Sequence, residues 1–331
     1  MTAPLDVPGA AEQAAPEAVT EGMGRAIQGR SLWQIAWRRL RRDKVALAGG
    51  VVIVLLVLVA IFAPVIVALF GHDPLEFHYD QIDPDLQISP KPFGGVSREF
   101  LFGVEPVNGR DIFSRVVYGA RISLLVAFLA TLVAVIIGTV AGIVAGYYGG
   151  WVDSVISRTM DVFLAFPVLL FALALAGVIP DGSFGLSGDT LRIVVIIAII
   201  GFTSWPYIGR IIRGQALSLR EREFIDASRS LGARTPRILL TEMLPNLIAP
   251  VLVYATLLIP TNILFEAALS FLSVGIRPPT PSWGGMLSDA THWFQIAPNF
   301  MLFPGLAIFV TVLAFNLFGD GLRDALDPRA R

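Results

Sequence analysis

Residues 221–246, EREFIDASRSLGARTPRILLTEMLPN, are polar in the midst of a strongly apolar chain. Charges, a glycine and two prolines stand here between long apolar runs, in the order expected of two short helices joined by a corner. Glu221 and Glu223 fall in the first turn of a helix, where acids complement the helix dipole. Phe224, Ala227 and Leu231 share one face, and Gly232 stands where a left-handed C′ residue ends that helix. Thr235 and Pro236 read as N-cap and first residue of a second helix that closes before Pro245. The spacing predicts a compact polar knob between two membrane-length segments.

The rest of the sequence supplies those segments. Of 331 residues, 55% are hydrophobic and 15% charged, and mean hydropathy is +0.70, whereas a soluble domain carries about 25% charged residues. Apolar runs at 45–70, 122–147, 155–179, 191–212, 247–269 and 300–318 are each long enough to cross about 30 Å of hydrocarbon as a helix. A single large soluble domain would show amphipathic periodicity in place of such runs. The fold class is therefore all-α, a polytopic membrane protein with about six transmembrane helices and the knob on one side.

Net charge is −1, so no basic field argues for nucleic acid, and the near-balanced knob offers too little basic surface for a DNA-reading helix-turn-helix. The chain has no cysteine, which excludes disulfides, thiolate catalysis and zinc–thiolate sites. His72, His78 and His292 are the three histidines; without a third ligand at metal spacing they read as loop residues, and no metal is expected. No histidine falls inside a predicted span, which argues against an intramembrane enzyme. The spans hold few charges and no convincing inverted repeat, which argues against an ion-coupled transporter.

Residues 1–30, rich in Ala, Pro, Glu and Gly, read as a disordered tail and not a signal peptide. Residues 31–44 suit a basic interfacial helix, with Trp33 and Trp37 beside Arg38, Arg39, Arg41, Arg42 and Lys44. A first span at 45–70 is followed by an extracytoplasmic segment at 71–121, a transmembrane core at 122–318 with the knob at 213–246, and a tail at 319–331. With the N-terminus inside, the inner segments hold most of the 25 Lys and Arg, which places both termini in the cytoplasm by the positive-inside rule.

Gly138, Gly142 and Gly146 form a small-xxx-small row for close helix approach, either within the chain or across a dimer. Asp161, Glu266 and Asn316 lie in or beside apolar spans, where such groups face a bundle interior, a cavity or a partner. Glu266 reads either as a residue of a translocation path or as a hydrogen-bonded interhelical carboxyl. A phosphate-cradling loop needs Gly-Lys-Ser/Thr. The two lysines, Lys44 after Asp43 and Lys91 after Pro90, do not complete one, and no catalytic residue is assigned.

Asp226-Ala227-Ser228, then Gly232, then Leu244-Pro245 resembles the EAA loop of permease subunits of bacterial ABC importers, with Asp for Glu and Ser for the second Ala. The stretches 109–124 (GRDIFSRVVYGARISL), 146–167 (GYYGGWVDSVISRTMDVFLAFP), 217–224 (LSLREREF), 269–287 (LSFLSVGIRPPTPSWGGML) and 303–329 (FPGLAIFVTVLAFNLFGDGLRDALDPR) resemble the dipeptide/oligopeptide/nickel permease family, and its second, C-type member in particular. The resemblance implies a permease subunit of an ATP-driven importer in a bacterial cytoplasmic membrane, moving peptides by alternating access, with nickel chelates or other small solutes as the alternative. It implies a heterodimer with a second permease, two ATP-binding subunits that carry ATP and magnesium, and an extracytoplasmic binding protein. This chain itself would hold no cofactor. Phe224, Asp226, Ala227, Ser228, Leu231, Gly232, Leu244 and Pro245 are then the ATPase-coupling residues. Arg110, Asp111, Arg115 and Arg121 are then candidates for the binding-protein face or outer gate, and Glu266, Asp161 and Asn316 for the translocation path.

Overall fold

A computed structural model describes residues 32–178 and 188–327; the tail expected at 1–30 lies outside the described residues. Helix α1 (Leu32–Leu40) leads into α2 (Lys44–Ile61), α3 (Ala63–Phe70), α4 (Ile112–Tyr148), α5 (Gly150–Ala165) and α6 (Val168–Val178). After these come α7 (Gly188–Arg220), α8 (Glu223–Ser230), α9 (Thr235–Phe271), α10 (Trp283–Ala290) and α11 (Pro298–Leu326). No β-strand forms among the described residues, where an isolated bridge pairs Val104 with Asp111. Helices α2, α4, α7, α9 and α11 are long and apolar enough to cross a membrane, and α5–α6 makes a sixth span if the bent pair counts as one.

The breaks follow proline chemistry. The run expected as one span at 155–179 is two helices that meet at 81°. Phe166 is extended (φ −78°, ψ 135°) because it precedes Pro167, whose ring disfavours helical geometry in the residue before it. The span expected at 45–70 breaks at Phe62, just ahead of Pro64 in the first turn of α3, where the missing N–H costs nothing. In contrast, α4 starts at Ile112 and not at 122, so the last part of the expected 71–121 segment is helix. The Asp111 carboxylate caps it, accepting from the Phe113 N–H at 3.0 Å. The expected 319–331 tail is likewise helical as far as Leu326.

Glycines set the central contact. A Cβ added at Gly138 would lie 2.6 Å from the Trp205 carbonyl, one at Gly142 2.7 Å from the Gly209 carbonyl, and one at Gly146 2.6 Å from the Ala216 Cβ. The row expected to bring helices together therefore seats α4 on α7 within the chain, backbone against backbone. A polar tie adds α9: Asn262 Nδ2 donates to Thr131 Oγ1 at 2.8 Å, and Ser204 Oγ donates to Asn262 Oδ1 at 3.4 Å. Helix α1 packs Ala36 and Leu40 against Ala46 and Ala325, and Arg39 Nη1 donates to the Asp327 carbonyl at 2.7 Å.

Gly142→Ile should force α4 off α7. We expect a loss of about 1–3 kcal/mol from overpacking, measured as a lower Tm and a lower yield of monodisperse protein in detergent. Gly214→Ala, where an added Cβ meets nothing within 4 Å, should leave both values unchanged or raised.

Candidate functional site

The knob begins where α7 ends. Helix α8 runs Glu223–Ser230 and stops at Leu231, and Gly232 follows at φ +79°. The Ala233 N–H reaches the Ser228 carbonyl at 3.0 Å and the Gly232 N–H reaches the Arg229 carbonyl at 2.9 Å, the paired bonds of a Schellman cap. The glycine expected as the C′ residue thus occupies that place. The second helix differs from its expected form at both ends. Its N-cap is the extended Arg234, with Thr235 already helical, because Pro236 sits where first-turn N–H groups lack partners anyway and the boundary can slide by one residue. It also does not close before Pro245. A π-helical stretch, Ile238–Met243, carries it on as the rest of α9, and the Leu244 N–H bonds five residues back to the Leu239 carbonyl. The wider turn gives the Pro245 ring room and removes a bond it could not donate.

Ile225, which the sequence reading passed over, seats the knob. It is fully buried with Ile143, Ile212, Ala216, Ile238 and Met243, and Arg229 lies over the Tyr147 ring, 5.1 Å from its centroid. The signal was an isoleucine on the opposite face from Phe224, Ala227 and Leu231. That second face points away from the bundle: Phe224, Asp226 and Ala227 are exposed and Leu231 is 88% exposed. Asp226 pairs with Arg229 at 3.2 Å. Ser228 and Leu244 are half-buried, and Gly232 and Pro245 are exposed. Ser228, Leu231, Gly232, Ala233, Arg234, Arg237 and Glu242 line a hollow of about 530 Å³ beside the corner.

The expected outer residues are mostly interior. Arg110, Asp111 and Arg115 are buried, Arg121 is exposed, and the Glu105 carboxylate holds both Arg110 and Arg115, the latter at 3.0 Å. Arg115 Nη1 also donates to the Pro74 and Pro279 carbonyls at 3.3 Å. Asp111 accepts from Ser114 Oγ at 2.6 Å and from the His72 N–H at 3.2 Å. Arg115 therefore ties the start of α4 to the loop before α10, while Arg110 and Asp111 hold the segments just before α4. Burial pushes the nearby Asp289 carboxyl up, against the pull of Arg115 and Arg110.

The three candidate path residues separate. Glu266 is fully buried in α9 and accepts from Ser270 Oγ, one turn on in the same helix, at 2.8 Å. Asn316 is exposed on α11. Asp161 is exposed and paired with Arg210 at 2.6 Å. Near this pair, α7 and α9 border a cleft of about 500 Å³ whose polar lining is Thr203, Ser204, Tyr207, Tyr254, Thr261 and Asn262.

Comparison with known proteins gives this geometry a family. Residues 31–92 match the N-terminal TM domain of oligopeptide transport permease C. The dipeptide transport system permease protein DppC of Alkalihalophilus pseudofirmus is 43% identical over 301 residues, 91% of each chain. The glutathione transport system permease protein GsiD of Salmonella paratyphi A is 44% identical over 302 residues, 91% of this chain and 92% of that one. Among solved structures, inward-facing MetNI methionine ABC transporter superposes with a TM-score of 0.52 at 19% identity, covering 65% of this chain and 98% of its own, a likeness of fold. With residues 138–331 matching the family model itself, the chain belongs to the binding-protein-dependent transport system inner membrane components.

Proposed function

We propose that this multi-pass inner-membrane protein is the translocating half-subunit of a peptide importer driven by ATP hydrolysis in separate subunits. The carrying observation is the knob: an outward face of Phe224, Ala227 and Leu231 on a short helix whose reverse face is locked by Ile225 into the feet of α4, α7 and α9. A push on that exposed face has a rigid route into the spans. Phe224, Asp226, Ala227, Ser228, Leu231, Gly232, Leu244 and Pro245 form or flank the surface that an ATPase subunit would engage, with magnesium and ATP held by that subunit. The working assembly is a heterodimer with a second permease, two ATPase subunits and an extracytoplasmic binding protein, with both termini of this chain in the cytoplasm. Peptides are the substrate class, as for the dipeptide and glutathione permeases it resembles. The cleft of α7 and α9 supports this, since it is uncharged and largely apolar with Tyr207 and Tyr254 among its few polar lining residues, a surface that takes a peptide without selecting a charged side chain.

Reconstituted alone in liposomes, the chain should move no dipeptide. Uptake should appear when the second permease, ATPase subunits, binding protein and ATP are all present. ATP-independent uptake by the chain alone, at the rate of the whole assembly, would overturn the reading.

Gly232 gives a sharper test because its surroundings are open while its φ is +79°. Gly232→Val strains the backbone by on the order of 1–2 kcal/mol without a clash. Membrane insertion should persist, while ATPase co-purification or coupling of hydrolysis to uptake is lost. Gly232→Asn, which tolerates the left-handed region, should retain more of both. Wild-type coupling in the valine variant would reduce the knob to a surface loop.

A further inference from the structure

Two ion pairs join α5 to α7, and they are built differently. Asp153 and Arg213 form a two-pronged pair, with Arg213 Nη2 2.6 Å from Asp153 Oδ2, and they are 17% and 31% exposed. Ser157 Oγ donates to the same carboxylate at 3.1 Å. This is a clamp between helices. Asp161 and Arg210 instead meet in a single 2.6 Å contact, Arg210 Nη2 to Asp161 Oδ1, and remain 53% and 56% exposed. A carboxylate has two accepting oxygens and a guanidinium five N–H donors, so most of the binding capacity of this second pair is still open.

Its position gives that capacity a use. At 1.5 Å per residue, Asp161 lies about 16 Å along α5 from Gly150, and Arg210 about 15 Å along α7 from Arg220. Arg210 thus stands near the end of the apolar run 191–212 and Asp161 six residues into the run 155–179. Exposed charges there are costly against hydrocarbon, so the face they occupy borders water or the second permease. One helical turn further along α7 is Tyr207, 55% exposed, a lining residue of the cleft whose other polar groups are hydroxyls and one amide. The cleft itself carries no charge, and the charge complement stands just beyond it, on the side nearer the knob.

We propose that the Asp161–Arg210 pair is a binding station for the two charged ends of a translocating zwitterion. The Arg210 guanidinium takes the substrate carboxylate and Asp161 takes the substrate ammonium. The pair parts as the substrate passes and closes behind it. The exchange leaves every charge partnered at each stage, so opening the pair carries little penalty for a zwitterion. A solute with one charge strands one member of the pair, which makes the station selective. The proposal rests on the import of peptides argued above.

The test uses the complete importer in proteoliposomes, with radiolabelled dialanine as the probe, and reads import, binding-protein-stimulated ATP hydrolysis and complex yield together. The double variant Asp161→Asn/Arg210→Gln removes both charges and leaves neither stranded. We expect dialanine import to fall roughly tenfold, the factor supplied by about one net charge-assisted contact, with hydrolysis and yield at wild-type values. Asp161→Glu and Arg210→Lys, which keep the charges, should retain most import. Asp153→Asn/Arg213→Gln should instead lower yield, as loss of a clamp does. Wild-type import by the first double variant would overturn the station, and so would parallel loss of import, hydrolysis and yield, which marks a merely structural pair. Failure of the wild-type assembly to import dialanine at all would overturn the peptide reading itself and the station with it; import by wild type and variant alike removes the station alone.

Discussion

Everything in this structure depends on how closely α4 and α7 approach. Three glycines on α4 face the backbone of α7 at distances that leave no space for a side chain, and dispersion between close backbones replaces the hydrophobic expulsion that lipid cannot supply. Helix α7 is the axis of the molecule. Its middle borders the cleft with α9, its lower half carries both ion pairs to α5, and its end turns into the knob. A change in the α4–α7 seam would therefore displace cleft, ion pairs and knob together.

Several polar groups inside the bundle are tied to one another. Thr131, Asn262 and Ser204 connect three helices by side-chain hydrogen bonds, and Glu266 is held by Ser270. At the opposite end from the knob, Glu105 gathers two arginines. Buried ions of this kind contribute little net stability when intact, yet losing one partner is expensive. They fix which surfaces meet more than how tightly they hold.

Much of this was legible in the sequence. Hydropathy located the spans, Gly232 marked its corner through conformational preference alone, and the glycine row announced a close approach, although only the fold shows that its partner is α7. What stayed hidden depends on partners distant in the chain. Arg110, Asp111 and Arg115 look like a charged rim because nothing local reveals that Pro74 and Pro279 converge on Arg115 or that the His72 N–H reaches Asp111. Asp161 gives no hint of Arg210. Ile225 and Phe224 are adjacent apolar residues on a short helix, and which of them turns inward is decided by the helices beneath. Pro167 sits in a run apolar enough to mask its effect, so that hydropathy reads one span where backbone sterics makes two.

The π turn at Ile238–Met243 has a geometric meaning of its own. A π turn accommodates an inserted residue, and each residue of a regular helix advances the chain by about 100°. The bearing of the knob relative to the span above it is thus set by a residue count between Arg237 and Leu244, independently of the side chains that later touch it. Like an offset in a crankshaft, that extra residue fixes the angle at which a force on the exposed helix enters the membrane. Sequence drift on the outer face leaves the angle unchanged, whereas gain or loss of one residue here turns it wholesale.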